Sequence, residues 1–252
     1  MIFLHGLGDL NASQSYEFKD YLNSDLSTNP FTLQEIGQLT GLKYILPKAP
    51  FRPITVFDHQ IHRGWFDIKD WRDLNFLEDE DGLKDSSIKI YKLIKDLIDK
   101  GQIDMDFTIL AGFSQGAVMS FLLTLVLPQP PFATLIMSGY PPLPFRWPIL
   151  TSSNQNLYKK TSLYFIHGII DQVLDYNKSK FGFKLFQSIF NEKFKQIKFK
   201  TFSNLSHNFN FDELIVVTNW IQGIVQGQSG GGFDEKFDGF LVPENDLDDF
   251  IA

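Results

Sequence analysis

Cysteine is absent from all 252 residues of the chain. A disulfide framework, a cysteine nucleophile and a thiolate metal site are therefore excluded. After Met1, three apolar residues precede polar His5, and there is no basic segment, which predicts no signal peptide. A chain without cysteine is compatible with a reducing compartment, and we expect a cytoplasmic protein.

The chain also lacks long apolar runs and an excess of basic residues. The best candidate for a membrane span, residues 121–137, is interrupted by Pro128, Pro130 and Pro131. The net charge is −7, and the stretch from Gly227 onward contributes −6 through seven acidic residues and one basic residue, Lys236. The remaining residues are nearly neutral and offer no basic face, so we expect no nucleic-acid partner.

What the chain contains is an alternation of short apolar strands and helices. This alternation predicts an α/β fold with a mainly parallel sheet covered by helices on both faces, over residues 1–226. A Gly-rich linker and an acidic tail, which we expect to be disordered, follow at residues 227–252. The predicted strands are 2–4, 43–46, 107–112, 132–137, 162–166 and 196–202, and the helices are 13–26, 32–39, 83–100, 115–127, 181–190 and 211–224.

The most informative motif is Gly112-Phe-Ser-Gln-Gly116, which lies between a predicted strand and a predicted helix. A strand, a Gly-x-Ser-x-Gly turn and a helix in this order form a nucleophile elbow. Glycine is needed on both sides because the turn is too tight for a Cβ atom. The motif predicts that Ser114 is presented as a nucleophile at the carboxyl edge of the sheet.

A serine nucleophile needs a base and an orienting acid. His207 is the best base of the five histidines because it lies in the loop between the last predicted strand and helix. His5 and His167 directly follow strands and are expected to brace loops. His59 and His62 have a His-x-x-His spacing but no nearby acid or helical pattern, so no metal site is predicted.

The acid is expected in the loop after the strand at 162–166, which supplies Asp171 and Asp175. Asp171 is preferred because it is closer to the strand end, whereas Asp175 fits the N-cap of the next helix. The oxyanion donors are expected to be the backbone N–H groups of Gln115, directly after the nucleophile, and of Leu7, between two glycines. The order Ser114, Asp171, His207 is that of α/β-hydrolases.

The long irregular segment 47–81 contains Trp65 and Phe66, side by side. Bulky aromatic side chains in a loop either anchor it or line a pocket, and anchoring is the more common role. Loops of this length inside a compact domain are usually functional or contain short elements.

These motifs together resemble the acyl-protein thioesterase family, in the carboxylesterase and lysophospholipase branch of the α/β-hydrolases. The resemblance covers residues 1 to about 224 and rests on His-Gly-Leu-Gly-Asp at residue 5, Trp-Phe-Asp at residue 65, the elbow, and the loops of Asp171 and His207. It implies an α/β-hydrolase fold, the triad and the oxyanion amides above, and an acyl channel near Trp65, Phe66 and Leu74. The chain departs from the family pattern at Ile169, Ile170 and Gln172, around the acid.

The resemblance implies a serine hydrolase that cleaves fatty acyl thioesters or esters without a metal or cofactor. S-acylated proteins are the expected substrates, with lysophospholipids or carboxylic esters as the alternative, and transient contact with a membrane surface is compatible with both. A further alternative is a non-catalytic protein that binds acyl chains. A complete Ser–His–Asp set argues against it, because a binding protein has no use for an activated nucleophile.

Overall fold

A computed structural model of the chain describes residues 1–8, 41–71, 78–151 and 157–228. Within these residues, the strands are β1 (Ile2–Leu4), β2 (Phe51–Ile54), β3 (Gln60–Arg63), β4 (Ile109–Phe113), β5 (Ala133–Met137), β6 (Ser162–Gly168) and β7 (Gln196–Phe202). Five of them form one parallel sheet in the order β1-β4-β5-β6-β7. A separate antiparallel pair consists of β2 and β3.

Helices cover both faces of the parallel sheet, as predicted. They are α1 (Glu80–Asp99), α2 (Gln115–Val126), α3 (Trp147–Leu150), α4 (Tyr176–Phe190) and α5 (Phe211–Gln228). Alternate residues of a strand point to opposite faces, so Phe3 packs with the α5 side of the core while Ile2 and Leu4 pack with the α1 and α2 side. The α4 helix packs on the same side as α2.

The predicted strand at 43–46 is wrong, because only Ile45 forms a β-bridge there, with Ile2. The Ile45 amide donates to the Met1 carbonyl and the Ile45 carbonyl accepts from the Phe3 amide, both at 2.9 Å. The pairing stays this short because β1 itself has three residues and Pro47 follows closely.

The pair of β2 and β3 was not predicted, because Pro53 and several polar residues hide the strand pattern. Pro53 is tolerated because, among the described residues, β2 pairs with β3 alone and its other edge has no partner strand. Phe51 lies opposite Arg63, whose guanidinium carbon is 4.1 Å from the centre of the Phe51 ring. This cation–π contact stabilises the register of the pair.

Several predictions lie outside the described residues, among them the helices at 13–26 and 32–39 and the tail from residue 229. The α5 helix continues to Gln228, two residues beyond the predicted end of the catalytic domain at 226. None of the helices described is both long enough and apolar enough to cross a membrane.

Glu213, in the first turn of α5, is a carboxylic acid inside the core. Its side chain is fully buried, and neither carboxyl oxygen has a hydrogen-bond partner among the described residues. Burial raises the pKa of Glu213 to about 8. The folded chain therefore keeps a proton that the unfolded chain releases above the ordinary pKa of 4.5.

Stability should consequently fall as the pH rises. We expect Glu213 to lower the free energy of unfolding by about 1.4 kcal/mol per pH unit between about pH 5 and pH 8. Urea titrations across this range should show a smaller slope for Glu213→Gln than for the wild type. The slope of the variant should not vanish, because burial also raises the pKa of Glu78 to about 8 and Glu78 alone should contribute about 1.4 kcal/mol per pH unit. Equal slopes in the two proteins would contradict the prediction.

Candidate active site

Ser114 lies in the turn between β4 and α2, at the carboxyl edge of the parallel sheet. Its backbone has φ 54° and ψ −119°, a conformation that residues with a side chain rarely adopt. The flanking glycines make this turn sterically feasible. A Cβ atom on Gly112 would lie 2.2 Å from the Gly116 carbonyl oxygen, and one on Gly116 would lie 1.9 Å from the Leu4 carbonyl oxygen.

Gly116→Ala is therefore expected to destabilise the fold by about 3 kcal/mol, the upper range for overpacking, because backbone atoms of β1 would have to move. The matched control is Gly182→Ala, another helical glycine. Its added Cβ atom would meet only the ring of Pro141, at 3.2 Å. That variant should stay within about 1 kcal/mol of the wild type. Urea denaturation of both variants checks the prediction, and similar stabilities would contradict it.

His207 lies in the loop between β7 and α5, and its ring contacts both other members of the predicted triad. His207 Nε2 is 2.9 Å from Ser114 Oγ, and His207 Nδ1 is 2.7 Å from Asp171 Oδ2. The ring also packs on Phe113, with 4.9 Å between ring centres. Gly168 at the end of β6 lets this loop approach, because a Cβ atom there would lie 1.9 Å from the Leu205 carbonyl oxygen.

Asp171 is buried and held by its own loop. Its Oδ1 accepts hydrogen bonds from the Val173 and Leu174 amides, at 2.9 and 2.8 Å. Burial alone would raise the pKa of Asp171, but hydrogen bonds from His207 and the Leu174 amide, with the charges of His207 and His167, hold it below the ordinary value. The carboxylate therefore stays ionised and accepts a hydrogen bond from Nδ1–H of His207. Nε2 of His207 is then left without a proton and can accept a hydrogen bond from Ser114.

Asp175, the other candidate acid, has the helix-capping role that the sequence predicted for it. Its Oδ1 accepts from the Asn177 and Lys178 amides at 2.8 and 3.0 Å and thereby caps the N-terminus of α4. Asp171, not Asp175, contacts His207.

His5 and His167 brace loops, as predicted. His5 Nε2 accepts from the Ala49 amide at 3.0 Å, which ties the loop after β1 to the segment before β2. His167 Nε2 donates to the Leu174 carbonyl at 2.9 Å and lies 3.4 Å from Asp171 Oδ2. Burial lowers the pKa of His167 below its ordinary value, although the hydrogen bond to the Leu174 carbonyl and the charge of Asp171 act in the opposite direction. Sequence reasoning had not placed His167 next to the acid.

Of the two amides expected to stabilise an oxyanion, that of Gln115 directly follows Ser114, and Leu7 lines the same cleft as Ser114. Gln115 begins α2, and Leu7 lies in the loop after β1. Neither amide donates to a backbone carbonyl within the part of the chain that is described. Both amides are therefore available to a ligand. The Gln115 amide also lies at the positive end of the α2 helix dipole.

A cleft of about 630 Å³ opens at Ser114 and His207. Its wall is partly apolar and aromatic, which suits a hydrocarbon chain. Sequence reasoning had identified Leu7, Ser114 and His207 among its residues and had missed the others. The lining consists of Gly6, Leu7, Phe57, Trp71, Phe113, Ser114, Gln172, Val173 and His207.

Trp65 and Phe66 do not line this cleft, in contrast to the acyl channel that the resemblance implied. Both side chains are buried in the core, at 2% and 3% exposure. Trp65 Nε1 donates to the His5 carbonyl at 2.8 Å, and the Trp65 amide donates to Gln115 Oε1 at 3.0 Å. Gln115 Nε2 in turn donates to the Phe66 carbonyl at 2.7 Å. The pair anchors the loop, the more common of the two roles considered, and Leu74 lies outside the described residues.

Comparison with known proteins assigns the family. The family model described as Phospholipase/Carboxylesterase matches residues 1–225. Acyl-protein thioesterase 1 of Debaryomyces hansenii is 29% identical over 227 residues, which cover 90% of this chain and 91% of that protein. Carboxylesterase SOBER1 of Arabidopsis thaliana is 24% identical, over 91% of this chain and 92% of that protein.

Solved structures show the same fold. The crystal structure of Zea mays acyl-protein thioesterase 2 matches with a TM-score of 0.68 at 21% identity, over 89% of this chain and 92% of the other. Arabidopsis thaliana SOBER1 matches with a TM-score of 0.66 at 21% identity, over 89% and 97% of the two chains. The chain therefore belongs to the phospholipase/carboxylesterase family, and it is a serine hydrolase with an α/β-hydrolase fold.

Proposed function

We propose that the protein hydrolyses fatty acyl thioesters, releasing acyl chains from S-acylated proteins. The observation that carries the proposal is the unbroken contact from Asp171 through His207 to Ser114, at 2.7 and 2.9 Å, at the base of a partly aromatic cleft. The acyl-protein thioesterases among its relatives support the choice of substrate. A cytoplasmic location stays a prediction from the sequence.

In the proposed mechanism, Ser114 Oγ attacks the thioester carbonyl while His207 Nε2 takes its proton. Asp171 stabilises the resulting imidazolium through Nδ1–H, and the amides of Leu7 and Gln115 donate to the oxyanion. Collapse of the tetrahedral intermediate breaks the C–S bond, and His207 gives its proton to the leaving thiolate. A water molecule, deprotonated by His207, then attacks the acyl-enzyme and releases the fatty acid.

Lysophospholipids and carboxylic esters are the second candidate substrates, because a relative of similar coverage is named a carboxylesterase. They undergo the same chemistry with an alcohol as leaving group. A non-catalytic acyl-chain binder is disfavoured, since it would not need an ionised acid, an oriented histidine and a serine in hydrogen-bond contact.

Rates on three substrates distinguish these candidates: a palmitoyl-cysteine peptide, lysophosphatidylcholine and a short aryl ester. The proposal predicts the highest kcat/KM for the palmitoyl-cysteine peptide. A preference for lysophosphatidylcholine would assign the protein to the lysophospholipases, and a preference for the short ester would assign it to the general carboxylesterases.

A further inference from the structure

The outward side of α4 carries large apolar side chains that the fold leaves exposed. Phe181, Leu185 and Ile189 are 68%, 37% and 50% exposed. They are spaced four residues apart and therefore form one stripe along the helix. The opposite side of the helix, with Phe183 and Phe186, is buried in the core. The helix thus has an apolar side for the core and a second apolar stripe that faces solvent.

The charges of α4 are of one sign. The helix contains Lys178, Lys180 and Lys184 and no acidic residue. α1, by contrast, contains charges of both signs, and Lys89 pairs there with Asp85 at 2.7 Å. The basic character continues to the end of β7, since residues 176–202 contain seven lysines and one acidic residue, a net charge of +6 in a chain of net charge −7.

The loop that precedes α4 adds exposed apolar residues at the mouth of the cleft. Ile169, Ile170 and Val173 are 47%, 51% and 45% exposed, and Val173 lines the cleft. Tyr176 begins α4 three residues later. Exposed apolar side chains therefore run along the chain from the rim of the cleft into the helix.

We propose that this α4 surface, comprising the exposed stripe, the three lysines and the apolar residues of the preceding loop, binds the surface of an anionic lipid bilayer. Helices that lie in a bilayer interface combine an exposed apolar stripe with flanking lysines. A segment of net positive charge matches a surface of uniformly negative charge. Contact here would bring Val173 and the cleft mouth to the lipid. The inference rests on the proposed function, which provides substrates whose acyl chains are embedded in membranes.

Vesicle sedimentation tests the proposal, with Ser114→Ala as the background so that no lipid is hydrolysed. The intact chain should bind vesicles of phosphatidylcholine mixed with phosphatidylserine, and bind phosphatidylcholine alone far more weakly. Each lysine near an anionic surface contributes about five-fold, so Lys178→Gln/Lys180→Gln/Lys184→Gln should weaken binding about 100-fold. Phe181→Ser/Leu185→Ser should weaken binding at least about ten-fold by removing the apolar contact.

Matched variants on α1 provide the control. Lys84→Gln/Lys92→Gln and Ile88→Ser change exposed residues of the same kinds and should leave vesicle binding unchanged. Equal affinities of the α1 and α4 variants would overturn the proposal. Vesicle binding that appears only when the chain is cut after Gln228 would mean that the acidic tail covers the α4 surface in the intact chain. That result would overturn the proposal as well.

Hydrolysis is measured separately, on a soluble short-chain thioester and with Ser114 present. The α4 variants should keep the wild-type rate, because their side chains do not line the cleft. If the wild type hydrolyses no thioester, the proposed function fails on that result alone. The vesicle experiment, which uses the Ser114→Ala background, still decides whether the α4 surface binds lipid.

Discussion

Alanine at Ser114 or at His207 is expected to lower kcat about 10⁶-fold, by analogy with serine proteases. Without Ser114 no acyl-enzyme can form, and without His207 the serine hydroxyl keeps its proton. Because the two residues act as one unit, the double variant should be no slower than either single variant. Steady-state rates on a palmitoyl-cysteine peptide measure the effect, and substrate binding should change little since the cleft wall remains.

The result that would contradict this expectation is a loss of less than about 100-fold for either variant, since one positioned proton-transfer group alone contributes at least that much. An additive loss in the double variant would also contradict it, because it would mean that Ser114 and His207 act in separate steps.

Asp171→Asn is expected to lower kcat about 10⁴-fold through the wrong tautomer of His207. Asp171 Oδ1 accepts from the Val173 and Leu174 amides, so the carbonyl oxygen of an asparagine would take that position. Its NH₂ group would then face His207 Nδ1 and force that nitrogen to accept. The ring proton would move to Nε2, which could no longer accept the proton of Ser114.

Asp175→Asn is the matched control for this prediction. Asparagine caps helices about as well as aspartate does, so the α4 N-terminus should be preserved and kcat should stay within about two-fold. Circular dichroism and urea titration should show both variants folded. A severe loss with Asp175→Asn, and a mild one with Asp171→Asn, would mean that the contact between Asp171 and His207 is not the catalytic one.

The positions of Ser114, Asp171 and His207 could be inferred from the sequence because each follows an apolar strand. Parallel strands end at the same edge of the sheet, so residues far apart in the chain meet there. The elbow adds a steric requirement that is visible in the sequence, since its two glycines approach backbone atoms too closely for a Cβ atom. The choice between Asp171 and Asp175 was harder, because a short loop offers two carboxylates and only the fold shows which one caps a helix.

The wall of the cleft could not be inferred in the same way. Phe57 and Trp71 lie in a segment without periodicity, where the sequence does not distinguish a side chain that packs inward from one that faces a cleft. Trp65 and Phe66 illustrate the same difficulty, since they are equally aromatic and are buried. The basic character of residues 176–202 was also missed, because the charge of their seven lysines is offset by acidic residues elsewhere in a nearly neutral body.

Labelling with a fluorophosphonate probe, followed by mass spectrometry of the labelled peptide, tests the central claim most directly. The probe reacts with an activated serine and does not depend on knowing the substrate. We predict one adduct, on Ser114, in the wild type, and none in Ser114→Ala. A folded wild-type protein that takes up no label, or a label found on another serine, would contradict the account.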